Sequence, residues 1–216
     1  MKNPIPDPDL GDPPDSYLTL AEAAEVELKV QRSRFVALAV PVTSAAEARV
    51  RLEETARRYH DARHVCYGYR LGVGRDMATR KSDDGEPSGT AGEPILAAIG
   101  KLDLTDVLVM VVRYFGGIKL GTGGLARAYG RAAAEALSRG TIREVPLGRE
   151  FVLDFSYAQE KTVRRLLESW RGRPVAQDYG ENVRWRIWLP HSAWRGFAGS
   201  LTEQTAGAVV LEEADC

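Results

Sequence analysis

Six consecutive apolar residues, Val107 to Val112, lie between two glycine-rich segments. A run of that length without polar alternation predicts a strand buried on both faces, so the chain must place layers on either side of it. The segment before it, Ser82 to Gly92, reads SDDGEPSGTAG. Gly85, Gly89 and Gly92 admit positive φ, and Pro87 cannot join a ladder, so no regular structure is expected there. Pro94 then suits the first turn of a helix, with Ile95, Leu96 and Ile99 buried and an end at Gly100 or Lys101. The segment after the run, Arg113 to Gly124, carries five glycines. It leads into a helix expected over 125–139, with Leu125, Ala128, Tyr129, Ala132, Ala136 and Leu137 as its apolar stripe.

Both segments hold candidate binding groups. Asp83, Asp84 and Glu86 place three carboxylates within four residues, and such groups repel unless paired or spread apart. They suit Mg²⁺ or acid–base chemistry in principle. With no nucleophile or dedicated base spaced beside them, the favoured reading is an acidic loop paired with Arg or Lys, or capping backbone amides. Ser88 and Thr90 add hydroxyls. His64 and Cys66 could contribute to a metal site only with further ligands, and no paired ligand spacing exists. A hydrogen-bonded His64 that orients a loop is expected in its place, and no metal or cofactor is expected.

The second segment opens a helix with glycines. Free amides and the helix dipole there suit an anion, and Arg113, Lys119 and Arg127 add positive charge. Gly121, Gly123 and Gly124 suit either an anion site or tight loop packing, and sequence does not separate the two. A P-loop is excluded because no Gly-Lys-Ser/Thr follows at the required spacing. Gly121 to Ala126 fits G-x-G-x-x-A, but about seven residues separate it from the strand, so a dinucleotide turn is not expected.

The remaining chain reads as two further blocks. Glu25–Val30 and Phe35–Val40 form a hairpin. Ser44 and Glu47 form a capping box before a helix with Ala48, Leu52, Ala56 and Tyr59 inward. A strand is expected over 65–71. From Leu147 the pattern is strand, helix, strand, strand, helix, strand, the split βαβ order. Its helices are expected over 159–170, with Arg164 and Arg165 outward, and after a Ser192 cap, with Trp194, Phe197 and Leu201 inward. Its last strand is expected over 208–211. Arg184, Arg186 and Trp188 would line one sheet face. That face resembles a nucleic-acid surface, although a plain solvated face is the favoured reading.

Composition narrows the function classes. No stretch of about 18 apolar residues exists, so no membrane span is expected. Residues 1–16 are rich in Pro and Asp and lack an apolar run, which excludes a signal peptide and predicts a disordered arm and a cytoplasmic protein. Residues 17–149 carry 20 Lys and Arg against 16 Asp and Glu, too small an excess to announce nucleic acid by charge alone. The expected division is an arm over 1–16, a domain over 17–146 and a domain over 147–216, an α+β chain throughout.

The long motifs in this chain resemble those of the YigZ/IMPACT family. They are Phe35-x-Ala37, Pro41-Val42, Ala62-Arg63-His64-x-Cys66, Asp83 through Gly92, and Arg113 through Leu125 with Arg127-Ala128-Tyr129. Arg32-Ser33-Arg34 departs from the usual lysines but keeps the charge. The resemblance implies a first domain like the second domain of small-subunit ribosomal protein five. It implies a ferredoxin-like second domain, the pair being similar to the last two domains of elongation factor G. Eukaryotic relatives are linked to translational control, by competing for the activator of the kinase that acts on initiation factor two. No catalytic residue is implied. The expected function is a non-enzymatic binding module near translation, contacting RNA or a ribosome-associated protein. The alternative is a phosphate or nucleotide binder, or an Mg-dependent enzyme, using both segments. The candidate site residues are His64, Asp83, Asp84, Glu86, Ser88, Thr90, Arg113, Lys119, Gly121, Gly123, Gly124 and Arg127.

Overall fold

The structure is a computed structural model describing residues 14–214. Most of the expected arm, residues 1–13, lies outside the described residues. The chain divides into two compact units, Tyr17–Val145 and a second comprising 146–214 with residues 14–16.

The first unit starts with β1 (Ser16–Leu20), β2 (Ala24–Val30) and β3 (Ser33–Pro41). Then come α1 (Ala45–Arg58), β4 (His64–Leu71), β5 (Ala78–Ser82) and α2 (Gly92–Lys101). It closes with β6 (Val107–Tyr114), α3 (Gly121–Arg139) and β7 (Ile142–Pro146). Five strands form one sheet in the order β2-β3-β6-β4-β5, with β6 at its centre. Each neighbouring pair is antiparallel. The six apolar residues of β6 are all buried because both faces are covered. Val107, Val109 and Val111 face α2 and α3, and Leu108 and Met110 face α1.

Local chemistry fixes the ends of these elements. The Ser44 hydroxyl accepts the Glu47 N–H at 3.2 Å, and the Glu47 carboxylate accepts the Thr43 N–H at 2.9 Å. The inward face of α1 turns out to be Ala48, Leu52, Thr55 and Tyr59, with Ala56 exposed. Thr55 can be buried because its hydroxyl donates to the Met110 sulfur at 3.2 Å. The β2–β3 loop is the two residues Gln31 (φ 43°) and Arg32 (φ 67°), a left-handed pair of the kind that matches strand twist. The α3 stripe is buried as expected, but the helix begins four residues early, at Gly121. β5, β1 and β7 were not expected. β5 is polar and almost wholly exposed, an edge strand without apolar alternation, while β1 and β7 form a separate two-stranded sheet, with Leu18 of β1 also bridging Leu104.

The second unit runs β8 (Gly148–Phe155), α4 (Glu160–Ser169), β9 (Arg173–Tyr179), β10 (Val183–Pro190), α5 (Trp194–Gln204) and β11 (Leu211–Glu213). Its four strands lie in the order β11-β8-β10-β9, all antiparallel. Phe151, Leu153 and Phe155 meet Val163, Leu167, Trp185 and Phe197 in its core. The last strand begins at Leu211, not Ala208. Ser192 does not cap α5, whose N-cap is Ala193 without a side-chain bond. Ser192 donates through its amide (2.8 Å) and hydroxyl (2.5 Å) to the Asp15 carboxylate. The Asp15 carbonyl accepts the Leu147 N–H at 2.7 Å. Asp15, expected in the arm, is therefore fixed.

Candidate functional site

The acidic segment folds back onto itself. Asp83 follows β5, and its carboxylate accepts three backbone N–H groups: Gly89 at 2.8 Å, Ala91 at 2.9 Å and Gly92 at 2.8 Å. The last two belong to the start of α2, where amides otherwise lack partners. Partial burial pushes the Asp83 pKa up, and these amide bonds outweigh that and hold it below its ordinary value. The Asp83 carbonyl accepts the Glu86 N–H at 2.9 Å and the Cys66 thiol at 3.0 Å.

Asp84 takes a left-handed conformation (φ 40°), which turns its carboxylate onto the Val65 N–H at 2.6 Å. Its carbonyl lies 2.7 Å from His64 Nδ1. A carbonyl only accepts, so Nδ1 carries the proton. The Thr90 hydroxyl donates to the Pro87 carbonyl at 2.6 Å. Lys81 pairs with Glu93 beyond the loop.

Glu86 points inward. One of its oxygens accepts the Arg113 guanidinium at 2.7 Å and the Tyr129 hydroxyl at 2.8 Å. The side chains of Glu86 and Arg113 are 4% and 8% exposed, so this is a buried ion pair. Arg113 lies 5.7 Å from the centre of the Phe35 ring and 5.6 Å from that of Phe115. Cys66 sits 3.5 Å from the Tyr129 hydroxyl. Burial pushes the Cys66 thiol up to about 12, so it stays protonated and unreactive at neutral pH. Burial likewise raises Tyr129.

The three carboxylates are thus turned in three directions, towards amides, a strand edge and an arginine. Among the described residues no group of three or more His, Cys, Asp or Glu converges as a metal site.

The glycine-rich segment behaves differently. Gly116 is held against the β2–β3 turn. Its N–H donates to the Ser33 hydroxyl at 3.2 Å, and any side chain there would overlap the Arg32 carbonyl. Beyond it the chain turns outward through Gly117 (φ 86°) and Gly121 (φ 69°). Phe115 and Ile118 are 55% and 41% exposed, and Lys119 is exposed between them and α3. The first turn of α3 is Gly121 to Gly124, with no side chain capping its amides. One turn further, Arg127 and Arg131 line a groove of about 350 Å³ with Val30, Gln31, Leu120 and Ala128. Among the described residues no carboxylate forms an ion pair with Arg32, Lys119, Arg127 or Arg131.

The candidate residues therefore separate into two sets. His64, Asp83, Asp84, Glu86, Thr90 and Arg113 form one internally bonded network. Lys119, Gly121, Gly123 and Arg127 face outward, Gly124 is half-buried beside the groove, and Ser88 is exposed at the acidic loop. The expectation that Arg113 could offer charge to an anion is corrected, because Glu86 neutralises it in the interior. Sequence reasoning missed Tyr129 as a polar member of the network. Its signal was a hydroxyl inside an apolar stripe, which needs a partner. It also missed Arg131, four residues and one helical turn after Arg127.

On the outer sheet face of the second unit the described arginines lie beside carboxylates or aromatic rings. Arg184 lies between Asp154 and Asp178 in the register. Arg186 approaches Glu150 at 3.5 Å, and Arg173 stacks 5.0 Å from the Trp188 ring centre.

Comparison with known proteins matches two family models to this chain. Residues 31–137 match the Impact N-terminal domain, and residues 153–208 match a domain of unknown function, DUF1949. An IMPACT family member from Thermus thermophilus is 54% identical over 184 residues, covering 85% of this chain and 99% of the relative. The IMPACT family member YvyE of Bacillus subtilis is 34% identical over 200 residues, covering 93% of this chain and 92% of the relative. A crystal structure described only as that of a hypothetical protein aligns with a TM-score of 0.62 at 31% identity, covering 93% of this chain and 98% of that one. With long motifs, full-length relatives and the matching domain in agreement, this chain is a member of the IMPACT family.

Proposed function

We propose that the protein is a non-enzymatic binding module acting near translation in the cytoplasm, and that it contacts RNA or a ribosome-associated partner through the outward part of its glycine-rich segment. The observation that carries this reading is the contrast in charge pairing. Every carboxylate of the acidic loop is bonded to the protein itself. Among the described residues, the cations Arg32, Lys119, Arg127 and Arg131 have no carboxylate partner in the first unit. Unpaired cations beside bare helix amides suit phosphate groups.

The fold supports the same reading by analogy. A five-stranded sheet with helices on both faces fits the ribosomal-protein-five type of domain. The βαββαβ order with sheet order β11-β8-β10-β9 fits the ferredoxin-like type. Fold analogy is a weaker warrant than the charges themselves. An Mg-dependent phosphoryl site is disfavoured, because it would need the carboxylates that hold the loop together.

The test is co-sedimentation with ribosomes and with total RNA over a salt series. Association at low salt should weaken linearly in log–log form as salt rises. Lys119→Ala combined with Arg127→Ala should lower it at every salt concentration. Absence of association at low salt would overturn the proposal. A thermal shift with Mg²⁺ and a nucleotide that is lost in Asp84→Asn would favour the enzyme alternative instead.

A further inference from the structure

Several surface arginines elsewhere in the chain have a carboxylate partner. On α1, Arg51 pairs with Glu54 and Arg58 with Glu25, and on α4, Arg164 pairs with Glu160. The groove beside α3 differs in having two arginines with no carboxylate partner among the described residues and an apolar floor of Val30, Leu120 and Ala128. At about 350 Å³ it lies at the small end of ligand pockets. That is room for roughly one nucleotide unit at a time, not for the width of a duplex.

Phe115 supplies the second observation. It is a large aromatic ring, 55% exposed, at the end of the central strand. It is not loose: the buried Arg113 guanidinium lies 5.6 Å from its centre, and the next residue, Gly116, is packed against Arg32. The β2–β3 turn thus joins the two features, with Gln31 on the groove and the Arg32 carbonyl against Gly116. A fixed, exposed ring beside unpaired cations suits a base stacked on its face and a backbone tracked by charge. Only an unpaired base can offer that face, because duplex bases stack on one another.

Building on the RNA reading above, we infer that this surface is a site for single-stranded RNA. Arg127 and Arg131 hold successive phosphates along the groove, and Phe115 stacks a base. Arg127 and Arg131 stand one turn apart on α3, about 6 Å between β-carbons, which matches consecutive phosphates of one strand. Lys119 and Arg32 add long-range attraction at either side. Recognition of this kind is largely sequence-tolerant, since every base has a stacking face.

The experiment is fluorescence anisotropy on the full chain with a labelled 12-nucleotide oligouridylate and a 12-base-pair RNA duplex, across a salt series. The single strand should bind more tightly. Phe115→Ala should weaken single-strand binding about 5- to 160-fold and leave duplex binding unchanged. Phe115→Tyr should retain it, and Phe115→Leu, which keeps the apolar contact without the ring, should not. Arg127→Ala with Arg131→Ala should reduce the salt slope by about 1.4. Equal binding of strand and duplex, or full binding by Phe115→Leu, would overturn the single-strand site and leave a general RNA-binding surface standing. Ribosome association without binding of either RNA would point to a protein partner and also overturn it. Failure of both RNAs and ribosomes to associate would remove the underlying reading as well.

Discussion

The acidic loop before α2 and the glycine-rich segment before α3 look alike as text. Each is rich in glycine, each carries one sign of charge, and each opens a helix on the same face of the central sheet. Their physics is opposite. The acidic loop uses its carboxylates as internal acceptors, one of them for two amides at the start of α2. The glycine-rich segment pairs only Arg113, at its buried start; it leaves the amides at the start of α3 without a side-chain cap and, among the described residues, Lys119 without a carboxylate partner. A cluster of charge in a sequence is therefore not a site until its partners are counted. The pairing test separates scaffold from surface where composition does not.

Three measurements press on that contrast. The largest effect is expected at Glu86. Glu86→Ala leaves the buried Arg113 charge and the Tyr129 hydroxyl without their acceptor, and should destabilise the first unit by about 3–5 kcal/mol in urea unfolding. A loss under 1 kcal/mol would mean that the acidic loop is not the scaffold described here.

Asp83 comes next. Removing its carboxylate in Asp83→Ala should cost about 1–2 kcal/mol, the range of a lost helix cap. Its pKa is lower in the folded protein than in the unfolded chain. Its contribution is therefore fully present above the ordinary aspartate value of 3.8 and is lost as pH falls through the lower folded value. Asp83→Asn should flatten that acid limb of the stability curve, and an unchanged limb would exclude Asp83 as its source.

The smallest effect on stability belongs to the other segment. Lys119→Ala and Arg127→Ala should each shift unfolding by no more than about 0.5 kcal/mol, the range of surface substitutions away from special features. If either destabilised the protein as Glu86→Ala does, the two segments would share one structural role and the contrast would fail.

Much of this architecture was legible in the sequence. The apolar run of β6, the α3 stripe and the βαββαβ order follow directly from periodicity. The edge strand β5 was not legible, because it reads ATRKS and is held by ladder bonds that side-chain patterning does not report. The site was only half legible. Arg113 shares the inward face of Val109 and Val111 by simple alternation, a signal of burial that the expected anion role passed over. What alternation could not supply was its partner, since Glu86 lies 27 residues earlier. The early start of α3 was hidden for another reason. Glycines disfavour helix intrinsically, and their presence in its first turn reflects tertiary context.

The pairing of β1 with β7 has a consequence for how this chain can be handled as parts. The Ala21 N–H donates to the Thr141 carbonyl at 2.8 Å, so the path into the first unit and the path out of it run side by side. A segment whose two ends meet behaves as a cassette. Residues 17–145 can be lifted out, or set into a loop of another host, without stretching a single connection. The same geometry makes a circularly permuted version, its original ends joined by a short glycine linker, a natural way to present the α3 groove on a scaffold of choice.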